Sequence, residues 1–167
     1  GGHAGTGAVI GAGVGALGTY IWSQHMERQK QQMEAATQGT GVVVTQTQDN
    51  QLKLDIPSDI SFATNRSDIQ SNFQPILEKF AESLRNNPDT DVRIVGHTDS
   101  TGSDAINNPL SLDRATSARN FITARGVNGA RIAVEGRGSR EPIASNESAE
   151  GRSKNRRVEI YVGQRQG

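Results

Sequence analysis

Two hydrophobic periods run along this chain. Ile69, Phe73, Ile76, Leu77, Phe80 and Leu84 recur every three or four residues, which predicts a helix over about 67–86. Ser67 or Ser71 is its expected cap, and Asn86-Asn87-Pro88 its stop. Elsewhere the period is two. Val42-Val43-Val44-Thr45-Gln46-Thr47 and Gln51-Leu52-Lys53-Leu54-Asp55-Ile56 read as strands joined at Asp49-Asn50, a hairpin closed by Pro57. Residues 91–96, 131–136 and 157–162 alternate in the same way, and residues 142–151 read as a loop. Between the first two of these strands, Asn107 or Asn108 is the expected N-cap of a second helix with Pro109 at its first position. That helix runs to about Arg125, with Gly126 as its C-terminal cap.

The order hairpin, helix, strand, helix, strand, loop, strand predicts an α+β fold: a small mixed β-sheet with two main helices on one face. The opposite face is expected to be partly solvated, because only 33% of residues are hydrophobic.

The first 41 residues follow neither pattern, so residues 1–41 are expected to form a leader and 42–167 the globular domain. Eight of the first 18 residues are Gly, and no charge falls between Ala4 and Trp22. Gly7, Gly11 and Gly15 stand four apart, a spacing that lets helices approach closely, as in membranes. Nineteen uncharged residues nearly reach the roughly 20 that span a bilayer, although Gly contributes little hydropathy. A glycine zipper that associates with membrane or with itself, and a flexible low-complexity lead, are both open readings. From Tyr20 to about Gln38 the chain turns polar and helical, and Met26 and Met33 mark a thin stripe suited to a spacer helix. The start, Gly-Gly-His without Met, is that expected of a processed fragment, with any signal peptide or lipid-bearing Cys upstream.

Net charge is zero but unevenly spread. Residues 1–113 carry 7 Lys/Arg against 13 Asp/Glu, and residues 114–167 carry 11 against 5. With only Phe121 and Tyr161 as rings near the basic half, nucleic acid is not an expected partner. Cysteine is absent, which removes thiol chemistry and disulfides. One His in the domain makes no metal cluster, so no metal or cofactor is expected. His97, Asp99 and Ser100 or Ser111 hold hydrolase residue types, but no Gly-x-Ser-x-Gly elbow accompanies them. No enzyme is expected, and His97 reads best as a partly buried strand-end residue.

The chemistry concentrates at residues 96–114. Asp99 lies on a turn bracketed by Gly96 and Gly102, and Arg114 follows fifteen residues later in the second helix. At about 100° per residue, Arg114 projects about 20° from Phe121 and about 40° from Ala118, on the margin of the apolar stripe Ala115, Ala118 and Ile122. A guanidinium there needs a carboxylate, and its fork suits one. The free N–H groups of the helix start are expected to share that carboxylate. An acid and a cation so spaced can grip a small zwitterion; equally, they can pair with each other, or Asp99 can merely tie its turn.

Resemblance bears on that choice. Gly96-His97-Thr98-Asp99-Ser100-Thr101-Gly102, then Asn107, then Leu110-Ser111-Leu112-Asp113-Arg114-Ala115, then Gly136-Arg137-Gly138-Ser139-Arg140-Glu141-Pro142, and finally residues 151–160, Gly-Arg-Ser-Lys-Asn-Arg-Arg-Val-Glu-Ile, resemble the OmpA-like C-terminal domain. That family includes Pal-type lipoproteins and the periplasmic parts of flagellar stators. The glycine-rich lead followed by Gly39-Thr40-Gly41-Val42-Val43-Val44-Thr45 resembles the YiaD-type outer-membrane lipoprotein subgroup. The resemblance implies non-covalent binding of peptidoglycan through meso-diaminopimelate of the stem peptide. It places the chain on the periplasmic face of the Gram-negative outer membrane, held by the leader or an upstream lipid. It further implies Asp99 for the ammonium, Arg114 for the carboxylate, Thr101 and Asn107 as polar contacts, and Arg157 as a further basic contact. Where many members carry Asp after the Phe of their Phe-Asp motif, Phe62 is followed here by Ala63. The rival reading is an assembly module in which the zipper self-associates and the domain is a spacer.

Overall fold

The computed structural model describes residues 10, 11 and 16–165. In chain order the elements are β1 (Ile10–Gly11), α1 (Ala16–Thr37), β2 (Val43–Gln46), β3 (Leu52–Pro57), α2 (Ser58–Ser61), α3 (Gln74–Asn86), β4 (Thr90–His97), α4 (Asp104–Thr123), β5 (Ile132–Gly136), α5 (Ala149–Asn155) and β6 (Arg157–Arg165). The sheet runs β2-β3-β6-β4-β5, with β1 against the far end of β6. Only β4 and β5 are parallel, joined through α4; every other pair is antiparallel. The expected mixed sheet with two main helices is the one observed.

Alternation sorts the strands into two faces. Leu54, Ile160, Ile94 and Val134 stand in one cross-strand row. With Leu52, Ile56, Val92, Val158 and Val162 they meet Phe80 and Leu84 of α3 and Ala118 and Ile122 of α4 in one core. Each large side chain fully buried there contributes about 1.5–3 kcal/mol relative to exposure.

The helix boundaries correct the expectations in three places. α3 begins at Gln74 with Pro75 in its first turn, and neither Ser67 nor Ser71 caps it. Proline suits a first turn, where its missing N–H is not needed, so the chain before it stays irregular. α4 begins a turn earlier than expected, at Asp104 after Ser103, and carries Pro109 inside. The supposed loop after Pro142 contains α5, whose cap is Ser148: its hydroxyl accepts from the Gly151 N–H at 3.0 Å.

α1 is not a free spacer. Met26 and Met33 are both 1% exposed and belong to the same core, and Gln29 donates to the Ser83 hydroxyl of α3 at 3.0 Å. α1 and the chain after residue 41 therefore share buried contacts. Of the proposed zipper, Gly11 pairs with Gln164 in β1, while Gly7 and Gly15 lie outside the described residues. No described helix is long and apolar enough to cross a membrane.

The sheet face turned away from the helices is polar yet well covered. Glu159 accepts from His97 Nε2 at 2.9 Å, the Tyr161 hydroxyl at 3.1 Å and Arg157 Nε at 3.0 Å, and Lys53 Nζ lies 3.4 Å away. Arg93 stacks 4.6 Å over the Tyr161 ring. Burial pushes the Glu159 carboxyl up, but the His97 hydrogen bond and the charges of His97, Arg157 and Lys53 outweigh it and hold it far below its usual range. Asp55 goes the other way, raised by burial and then by Glu159.

A Cβ on Gly96 would collide with the Ser111 carbonyl of α4, so Gly96→Ala is expected to cost about 1–3 kcal/mol or more in urea unfolding. An unchanged midpoint would show that α4 does not sit there. Because the folded pKa of Glu159 is depressed, its stabilisation is fully present above the usual 4.5 and is lost as pH falls through the folded value. Glu159→Gln should therefore destabilise by about 3–5 kcal/mol near neutrality, with the gap from wild type narrowing toward about pH 3. A gap constant across that range would contradict the assignment.

Candidate functional site

A concavity lined largely by polar side chains opens where β4 ends. The turn after His97, the first turns of α4, α2 with the irregular segment after it, and α5 enclose a cavity of about 700 Å³. Thr98, Asp99 and Thr101 come from the turn, Asn107, Leu110 and Arg114 from α4. Asp59 and Phe62 come from α2 and its end, Arg152 and Arg156 from α5 and the residue after it. Four of the five residues picked out in the sequence are thus brought together: Asp99, Thr101, Asn107 and Arg114.

Asn107 and Arg114 share a helix face because seven residues at about 100° each return to within about 20°. Both are 4% exposed. Asn107 Nδ2 reaches the Asp99 carbonyl at 3.4 Å. Arg114 donates from Nε to the Arg66 carbonyl at 2.9 Å and from Nη2 to the Ala63 carbonyl at 3.2 Å. Its guanidinium lies 5.1 Å over the Phe62 ring. Residue 63 therefore serves through its main chain, which any side chain there would supply. Among the described residues no carboxylate forms an ion pair with Arg114. Desolvation accordingly lowers its pKa, with Asp59 and Asp99 opposing from a distance.

Direct pairing of Asp99 with Arg114 is not what the structure contains. One Asp99 oxygen accepts the Thr101 N–H at 2.8 Å, tying the turn, and the other accepts Arg156 Nη1 at 2.6 Å. Arg156 also grips Asp59 two-pronged, Nε and Nη2 each at 2.8 Å from one carboxylate oxygen. Those bonds, to Asp59 first and Asp99 second, raise the Arg156 pKa further above its usual value. The Arg156 hydrogen bond, with a smaller one from Ser153, holds Asp59 below the carboxylate range.

Two expectations are corrected here. Arg157 does not line the cavity. Its side chain lies on the other face of the sheet, where it donates to Glu159 and to the Asn155 and Glu141 carbonyls. Once β6 begins, alternation gives Arg157 and Glu159 the same face, and it is the preceding Arg156 that reaches the cavity. Secondly, α4 begins ten residues before Arg114, about 15 Å along its axis, so its terminal N–H groups and Arg114 cannot share one carboxylate.

Asp59, Arg152 and Arg156 were not identified from the sequence. Arg156 carried a signal, being the first of the Asn-Arg-Arg pair, whereas Asp59 had only its place after Pro57. His97 does not line the cavity; it is 1% exposed and bonded to Glu159. Among the described residues no group of His, Cys, Asp and Glu is placed to hold a metal.

Known proteins share this arrangement of chain. Residues 61–156 match the OmpA family. The probable lipoprotein YiaD of Escherichia coli is 39% identical over 153 residues, covering 92% of this chain and 66% of its own. The peptidoglycan-binding protein ArfA of Mycobacterium tuberculosis is 48% identical over 103 residues, 62% of this chain and 32% of ArfA. The chain thus spans just under two thirds of one curated relative and about a third of the other. Among solved structures, the cell wall anchor of the T6SS from Pseudomonas aeruginosa has a TM-score of 0.72 at 32% identity, covering 82% of this chain and 97% of that one. The periplasmic domain of Helicobacter pylori MotB gives 0.67 at 29% identity, covering 77% and 83%. With more than half its length matched and its fold shared, the chain belongs to the OmpA family.

Proposed function

We propose that the chain tethers the cell envelope by holding peptidoglycan without covalent chemistry, and that the ligand it grips is the free end of meso-diaminopimelate in the stem peptide. The observation that carries this reading is Arg114: a guanidinium 4% exposed, facing a cavity, with no carboxylate partner among the described residues. A buried cation in that state gains most from a ligand carboxylate, because little competing water surrounds it. Asp99 lines the same cavity and takes the ammonium, sharing its carboxylate with Arg156. Thr101 and Asn107 border the pair, and Asn107 steadies the Asp99 backbone. Arg157 drops out as a ligand contact in this reading, and Arg156 takes its place beside Asp99.

Such a clamp rejects lysine at the same stem position. Lysine supplies the ammonium but no second carboxylate, so Arg114 stays buried and unpaired. The family's outer-membrane members, with YiaD described as a lipoprotein, support a periplasmic site near the outer membrane. The docked α1 supports the tether, since it joins the leader to the domain through buried contacts rather than a loose strap.

The test is sedimentation of the full chain with insoluble peptidoglycan. Wild type is expected to pellet with the diaminopimelate type and to stay in solution with the lysine type. Arg114→Ala and Asp99→Asn should each lose about 2–5 kcal/mol of binding, enough to abolish pelleting, with unchanged circular dichroism. Equal binding to both sacculi, or to neither, would sink the diaminopimelate reading. Binding lost together with the folded spectrum would show these residues to be structural instead.

A further inference from the structure

The cavity holds one cation more than a zwitterion needs. Its charged lining is Asp59, Asp99, Arg114, Arg152 and Arg156. Arg156 is bonded to both carboxylates. That leaves Arg114 and Arg152, neither of which forms an ion pair among the described residues. Arg152 instead donates Nη1 to the Asn146 carbonyl at 2.9 Å. Asn146 is itself fixed, its Oδ1 accepting from Asn155 Nδ2 at 2.8 Å and the Ser100 N–H at 3.3 Å. The Arg152 side chain is thus anchored at one nitrogen and half-buried at the cavity wall, with donors left over.

Size agrees with charge. About 700 Å³ lies in the range of roughly 300–1,000 Å³ that takes a drug-sized ligand, more than one amino-acid end group fills. With the zwitterion added, three Arg and two Asp side chains still leave one positive charge unmatched. Planar guanidinium donors favour a carboxylate over a neutral oxygen at that place.

We infer that Arg152 forms a second carboxylate subsite of this cavity, so that the ligand is a stem peptide read at two carboxylates rather than a lone diaminopimelate end. This rests on the diaminopimelate reading above. Two groups of the peptide have the chemistry: the α-carboxylate left free by a γ-linked glutamate, and the C-terminal carboxylate. Amidation of either removes its charge, so the subsite makes the protein sensitive to amidation of the cell wall.

Calorimetry on the full chain decides it, using four synthetic peptides. The parent is alanyl-γ-glutamyl-meso-diaminopimelyl-alanine; the others are its glutamate α-amide, its C-terminal amide, and the lysine analogue. Wild type is expected to bind at least one amide roughly tenfold to a hundredfold more weakly than the parent, the size of one charge-assisted contact. Which amide suffers identifies the carboxylate. Arg152→Gln is expected to bind the parent as weakly as that amide and to lose the discrimination, while Arg152→Lys retains part of it. If wild type binds parent and both amides alike yet still prefers diaminopimelate to lysine, the second subsite is overturned and the diaminopimelate reading stands. Persisting discrimination in Arg152→Gln overturns the assignment to Arg152. Loss of the preference over lysine overturns both. The wild-type comparisons need no variant to fold.

Discussion

Helix α4 lies against the sheet so closely that two strand positions have no room for a side chain. Gly96 of β4 sits under the Ser111 carbonyl, and a Cβ on Gly136 of β5 would stand 2.6 Å from the Leu112 N. Gly96 and Gly136 are register partners, so together they form one flat floor across the parallel pair. Ser111 is fixed on that floor, donating to the Asn108 carbonyl at 2.8 Å and accepting the Gly138 N–H at 3.0 Å. Asn107 lies four residues before it and Arg114 three after, so seating Ser111 also sets the rotation of α4. That rotation puts both side chains beside the turn carrying Asp99. The cavity is a consequence of a close helix–strand contact.

Charge is handled differently on the two sides of the sheet. On the face away from the helices, Glu159 is surrounded by His97, Arg157, Lys53 and Tyr161, so its charge is met within the protein. In the cavity, one guanidinium of three, Arg156, joins the two carboxylates, and the other two bond only to main-chain carbonyls. A buried ion network completed within the protein contributes rigidity. A guanidinium held by carbonyls alone is oriented but not neutralised, which is the state suited to a ligand bearing the missing charge.

Much of this was legible in the sequence, for physical reasons that differ by element. Strands β3, β4 and β6 alternate because one face is core, so their period was plain. The phase of Ala115, Ala118 and Ile122 by itself places Arg114 at the edge of that core. Helix starts were less legible: Pro75 and Pro109 are compatible with several registers, and neighbouring packing chose among them. α5 spans only 7 residues and has no apolar stripe, so nothing but Ser148 announced it. Met26 and Met33 looked like a spacer stripe because the surface of α3 that receives them is distant in sequence. Arg156 and Arg157 are adjacent and chemically identical, and only the start of β6 decides which faces the cavity. Asp59 was invisible for a similar reason, since its importance lies in Arg156, 97 residues away.

Whether Arg114 and Asp99 hold the two ends of one ligand is decided by a crystal structure of the full chain soaked with a meso-diaminopimelate tripeptide. The free carboxylate is expected within hydrogen-bond distance of the Arg114 guanidinium, and the ammonium on Asp99 beside Arg156. A tripeptide bound elsewhere, or one whose carboxylate leaves Arg114 without a partner, would contradict it.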